Sequence, residues 1–334
     1  MNRSLTLARR RFLASTGAGL AALSLARPTW AQDFPSRNFQ VTIPTGEGGG
    51  ADRDTRVFCD VWGKYIDASF ELSFYPGAAG QVGYEFYMQR TERDPHNLLS
   101  SFMGPEVIML TLQDTGIRPG EDIVYFQQFV EEPMSIFVGA ESPIESIEQL
   151  VEMGKERTIT VSKSRLPHPA SICTLLLGEE TGAKFNLIPY GGGNPAAMAA
   201  LGQETDCCAL PISLPISLGD QVRILCVFAD KNPVPEASGN APTANQAFGL
   251  DLPTLTSARS WAIHRETMEQ FPDEMEIIRS TMRQTVEDPA FAEGMVAVGV
   301  PKEFVSVGGE DVAMASAAKT AELAQRYRDL LTAG

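Results

Sequence analysis

Positive charge is scarce in this chain: 27 Lys and Arg stand against 42 Asp and Glu over 334 residues, a formal net charge of −15. Binding nucleic acid regardless of sequence needs basic side chains that displace phosphate counterions, so that class is excluded. Anionic membrane surfaces are disfavoured on the same ground. Histidine is sparse too, with His96, His168 and His264 as the full set. Five cysteines (Cys59, Cys173, Cys207, Cys208, Cys226) form no C-x-x-C pair and have no paired histidines, so no zinc site, other metal site or redox motif is expected. There is no G-x-S-x-G elbow, no Lys-Ser/Thr after a glycine loop, and no span of about 18 apolar residues after the amino-terminal region. Cys173 follows His168 by five positions, but Leu175, Leu176 and Leu177 beside it mark a buried thiol, not a nucleophile. The chain reads as a protein that is not an enzyme.

What is present is ordinary globular composition, 43% apolar and 21% charged, at a length that favours two domains. Arg9-Arg10-Arg11-Phe12-Leu13 carries a twin-arginine pattern, followed by the weakly apolar run Ala14 to Ala26 and the small-x-small site Thr29-Trp30-Ala31. Residues 1–31 hold five arginines and no acid, and are expected to be a signal peptide cleaved near Ala31, releasing the protein into the periplasm. No cysteine lies near that site to carry a lipid anchor. The oxidising compartment permits one disulfide, its connectivity left open.

From residue 39 strand and helix patterns alternate. Strands are expected at 39–43, 70–74, 98–102, 123–130 and 134–138, with helices at 51–68 and 81–90. A second series begins with a helix at 144–153 and a strand at 158–161, and continues with a helix after Pro169, a strand at 185–188 and a helix from Pro195. Strands at 207–210 and 224–228 follow, then a Pro-, Asn- and Gly-rich loop at 231–243 and a strand at 261–263. Met275, Ile278, Met282 and Val286 share one face of a late helix, and Val312, Leu323, Tyr327 and Leu330 lie on a terminal one. This order predicts an α/β fold of parallel or mixed sheets flanked by helices.

Three glycine clusters fall between a strand and a helix: Pro44 to Asp52, Pro76 to Gly83 and Tyr190 to Pro195. Glycine lets the backbone turn tightly beside a ligand, and the helix start supplies unpaired N–H groups that favour an anion. Gly46-x-Gly48-x-x-Ala51 formally meets the dinucleotide pattern, but Pro44 precedes it and Glu71, the nearest acid, begins a strand instead of ending one. A nucleotide-dependent oxidoreductase is therefore the lesser alternative, and no cofactor is expected. Three such turns suggest one cleft at the carboxyl ends of two sheets.

The chain resembles the Bug proteins, periplasmic receptors of tripartite tricarboxylate transporters. The resemblance rests on Pro44 with Gly49, Gly50 and Asp52; on Pro76-Gly77-Ala78-Ala79-Gly80-Gln81-Val82-Gly83; and on Ser142-Pro143-Ile144 with Ile147 and Leu150. It continues in Ser162, Ser164 and His168, in Ile188-Pro189-Tyr190-Gly191-Gly192 with Pro195-Ala196, in Asp206, and in Asp288-Pro289 with Gly299. It implies a type II periplasmic-binding-protein fold with the ligand cleft between domains, here expected over 36–139 plus 252–334 and over 140–251. It implies capture of a small organic carboxylate or amino acid by a monomer, and delivery to integral-membrane permease subunits. A sensor that reports its ligand to a membrane kinase is the alternative of the same fold. The ligand residues implied are Thr45, Gly48, Gly49, Gly50, Asp52, Gly77, Ala78, Ser162, Ser164, His168, Tyr190, Gly191 and Asp206. Glu47, Lys163, Arg165 and Gly192 depart from the family pattern. The first three are candidate specificity residues: Glu47 would meet the amino group of a zwitterion, and Lys163 or Arg165 a second carboxylate.

Overall fold

A computed structural model describes residues 34–332; the signal peptide expected over 1–31 lies outside them. Strand β1 (Phe39–Ile43) buries four of its five residues and pairs in parallel with β2 (Phe70–Phe74) and β3 (Asn97–Phe102). Between β1 and β2 runs α1 (Gly50–Trp62), which stops well short of the expected Ala68. Gly63, a poor helix former, caps it, and the chain turns so that Ile66 is buried and the Tyr65 hydroxyl donates to Asp288 at 3.0 Å. Helix α2 (Gln81–Arg90) follows β2. Helix α3 (Met103–Leu112) has no counterpart in the sequence expectation, because Met103 to Leu110 are all buried and so leave no amphipathic period.

The two strands expected at 123–130 and 134–138 are one, β4 (Ile123–Gly139). Pro133 is tolerated inside it because the partners change there. Ile123 to Pro133 pair with β9 (Thr256–His264), whereas Met134 to Gly139 pair with β7 (Cys207–Pro211) and β8 (Val222–Phe228). The missing proline N–H costs no ladder bond at the switch, and the Pro133 carbonyl accepts from Ile212 N–H at 3.0 Å. Strand β5 (Ile159–Lys163) pairs in parallel with β6 (Phe185–Pro189) and β7, giving the order β2-β1-β3-β9-β4-β7-β5-β6, with β8 and β10 (Val305–Gly308) also on β4. All contacts of β4 and β9 are antiparallel, so the sheet is mixed.

Helices α4 (Ile147–Glu156), α5 (Pro169–Thr181) and α6 (Gly193–Leu201) cover the second group of strands, and α7 (Ser213–Leu218), unforeseen in the sequence, follows β7. Two cores result. Around α1, Phe39, Phe58, Trp62, Phe129, Trp261 and Phe291 interlock, and the Trp62 indole N–H donates to Thr281 at 2.9 Å. Around β5, Ile136, Val138, Ile147, Leu150, Val161, Ile172 and Leu177 pack together. Each such side chain contributes about 1.5–3 kcal/mol by leaving water. All five cysteines are buried free thiols, and burial pushes Cys173 and Cys208 up to about 12. Among the described residues no helix is long and apolar enough to cross a membrane.

Candidate functional site

The first glycine turn is braced by its own helix. Gly48, in the left-handed region at φ 76°, donates its N–H to Asp52 Oδ2 at 2.8 Å, and Asp52 Oδ1 accepts from Arg56 Nε at 2.6 Å. Asp52 is thus spent inside the turn and does not border the cavity below. The second turn docks on the first: a side chain on Gly83 would place its Cβ 2.6 Å from the Pro44 Cα. Gly77, Ala78, Ala79 and Gly80 all have positive φ, which lifts the Ala79 carbonyl toward the opposite wall.

That wall begins at the end of β5. His168 caps α5, its Nδ1 accepting from Ala170 N–H at 3.1 Å, which fixes the ring proton on Nε2. Burial, with Lys163 and Arg165 near, holds the imidazole pKa well below its ordinary value, so the ring is neutral at pH 7. Arg165 reaches across: its Nη1 donates to the Ala79 carbonyl at 2.7 Å and lies 3.9 Å from Glu106 Oε1. Glu106 is wholly buried and accepts from Ser101 Oγ at 2.6 Å and the Tyr84 hydroxyl at 3.0 Å. Burial raises its pKa against the pull of Arg165.

These turns, the start of α6 at Gly191 to Pro195, α7, and Val298 to Val300 enclose a cavity of about 520 Å³. Its floor is charged. Arg259 of β9 stacks on the Phe102 ring, 4.4 Å from the centroid, and pairs through Nε with Asp54 of α1 and through Nη1 with Glu132 of β4. Glu132 Oε2 in turn accepts from the Ser213 N–H at 2.8 Å, tying the floor to the start of α7. Among the described residues Thr45 Oγ1 and Arg53 Nε are buried polar atoms without a hydrogen-bond partner, and both residues border the cavity.

Of the residues singled out in the sequence, Thr45, Glu47, Gly48, Gly49, Gly50, Gly77, Ala78, Ser164, Arg165, His168 and Gly191 meet in this cavity. Asp52, Ser162, Lys163, Tyr190 and Asp206 do not border it. The Ser162 hydroxyl donates to the Ala196 carbonyl at 2.7 Å, and Tyr190 packs on the Ala196, Ala197 and Leu210 cluster. Asp206 forks with Arg157 and accepts from Thr160 N–H and Oγ1, which pulls its pKa down to about 2. Lys163 is wholly buried near Cys173, Cys207 and Cys208, and burial lowers its pKa to about 7. Glu47, 72% exposed, lies 3.6 Å from Arg56 at the rim. Arg53, Phe102, Arg259 and Ser213 escaped the sequence reading, and Asp54 was read only as an acid favoured at a helix start. A lone arginine inside the buried strand Thr256–His264 was the available signal.

No family profile matches the chain. Its fold is that of the periplasmic binding proteins. The solved structure of the periplasmic binding protein BugD superposes with a TM-score of 0.74 at 19% identity, over 89% of this chain and 98% of that one. A Rhodopseudomonas protein, "R. palustris Rpa4515 with adipate", gives a TM-score of 0.73 at 17% identity, covering 88% and 99%. In sequence, BugT of Bordetella pertussis is 27% identical over 294 residues, 86% of this chain and 88% of BugT. In sequence and in fold the chain is thus similar to the Bug periplasmic proteins.

Proposed function

We propose that the protein captures a small carboxylate in the cavity, in the periplasm, and hands it to the integral-membrane subunits of a tripartite tricarboxylate-type transporter. The observation that carries this reading is the meeting of glycine turns from both strand groups around Arg53. Among the described residues Arg53 makes no ion pair or side-chain hydrogen bond, whereas the cavity's other arginines, Arg165 and Arg259, already face carboxylates. Arg53, the Thr45 hydroxyl, loop N–H groups and the neutral His168 Nε2–H offer donors to one carboxylate. That a protein of this fold was solved with adipate, itself a carboxylate, is in keeping with this.

Capture works by closure of 36–139 plus 252–334 on 140–251, with the bend set at Pro133–Met134, where β4 changes partners, a few residues ahead of that boundary. The ligand shifts the equilibrium by its higher affinity for the closed form, and the permease reads that form. The experiment is a thermal-unfolding scan of the protein, refolded to strip bound ligand, against di- and tricarboxylates, amino acids, aromatic acids and nucleotides. A ligand at 100 times its Kd adds about 2.7 kcal/mol to stability. A response confined to carboxylates is expected; a response confined to nucleotides would overturn the reading.

A further inference from the structure

The floor of the cavity has a donor and an acceptor left over. Asp54 and Arg259 are 2% and 4% exposed, yet both border the cavity. Asp54 uses Oδ2, and Arg259 uses Nε and Nη1, in the pairing with each other and with Glu132. No hydrogen bond from a third residue reaches Asp54 Oδ1 or Arg259 Nη2 among the described residues, and both residues border the cavity. A buried polar group left unpaired is costly, and a ligand that satisfies both gains the difference.

The charge of the floor decides which ligand. Two carboxylates, Asp54 and Glu132, already share the one guanidinium of Arg259. A ligand carboxylate arriving there would be the third around a single cation, in a place where water screens little. Arg53 and Asp54 are consecutive on α1, so their side chains diverge by roughly 100° about the helix axis and serve different ends of a bound molecule.

Resting on the carboxylate-capture reading, we infer that the Asp54–Arg259 pair recognises an uncharged group that both donates and accepts a hydrogen bond, a carboxamide or a hydroxyl, at the end of the ligand remote from its carboxylate. The pair excludes a second carboxylate from that end. Specificity here is partly repulsive, a mismatch built against the diacid of the same length.

The test titrates the protein calorimetrically with matched probes: succinamate against succinate, and glutaramate and 5-hydroxypentanoate against glutarate. At least one uncharged-end probe should bind about tenfold or more tightly than its diacid, a gap of about 1.4 kcal/mol. Asp54→Asn removes one of the two floor carboxylates and should narrow or invert that ratio. The wild-type comparison needs no variant, so a poorly folded Asp54→Asn leaves the inference testable. Diacids binding as tightly as their amides or tighter, or a ratio that Asp54→Asn leaves unchanged, would overturn this inference while leaving carboxylate capture intact. Binding of none of the probes, together with silence of the wider carboxylate panel, would overturn both.

Discussion

Arg165 and Ala79 meet across the cavity: the guanidinium Nη1 of one donates to the carbonyl of the other at 2.7 Å. Arg165 follows β5, and Ala79 sits in the turn after β2, so this bond joins the two strand groups at the rim. The same guanidinium is the only arginine facing the buried Glu106 among the described residues.

Arg165→Ala therefore leaves a buried carboxylate without its cation and should destabilise the protein by about 2–4 kcal/mol, near the range for breaking a buried pair. Burial already holds the Glu106 pKa above its ordinary value. A raised carboxyl pKa contributes stability that is full below the unfolded value and is lost as pH rises through the folded one. Without Arg165 that folded value rises further, so the deficit should be smaller near pH 5 than near pH 8. Urea unfolding at the two pH values checks it.

Asp206 braces the edge of β5 and takes no part in the cavity. Its pKa is depressed to about 2 by the Arg157 fork first and then by Thr160. The stability this confers is present above the unfolded carboxylate value and is lost as pH falls from about 4 to 2. Discounted for partial exposure, Asp206→Asn should cost about 1–2 kcal/mol at pH 7, converge with wild type near pH 2, and leave ligand affinity unchanged. Affinity that falls while stability holds would return Asp206 to the binding site.

Lys163 is a buried amine whose Nζ has no hydrogen-bond partner among the described residues. Its pKa falls to about 7 because burial penalises the ammonium. The unfolded chain holds that proton up to about pH 10, so wild-type stability should rise between pH 7 and 10, as proton uptake favours the unfolded chain less and less while the folded amine stays neutral. Lys163→Met should abolish that slope and stabilise the protein at pH 7 by about 1–3 kcal/mol. A variant less stable than wild type at pH 7 would mean that the amine has a partner in solution.

The two walls also approach without polar contact. A Cβ on Gly299, at φ 90°, would lie 2.5 Å from the Ser217 Cβ. Gly299→Ala should therefore cost about 1–3 kcal/mol through strain and overpacking and should weaken any ligand that needs the walls closed. Thermal unfolding and titration of the same sample separate the two effects.

The βα units were legible because their signals are local: alternation in Phe39–Ile43 and Phe70–Phe74, glycines at each turn, and proline at the start of α5. Helix α3 was not, since a helix buried on every side has no period to read. Pro133 looked like a strand end because the change of partners that makes it harmless is a tertiary fact. The site divides the same way. Backbone turns such as Gly48–Gly50 and Gly77–Ala78 announce themselves, whereas Arg259 acquires its place only through Asp54 and Glu132, from elements far apart in sequence. Asp206 and Ser162 carried the right residue types for binding, but their side chains are consumed by Arg157 and the Ala196 carbonyl.

The most direct test of the account is a calorimetric titration of wild type and Arg53→Gln with the carboxylate that gives the largest thermal shift. The account predicts saturable binding to wild type, one ligand per chain, and at least about tenfold weaker binding to Arg53→Gln, a loss of about 1.4 kcal/mol, with unliganded stability unchanged within about 0.5 kcal/mol. Equal affinity in the two proteins, or no saturable binding by wild type, would contradict it.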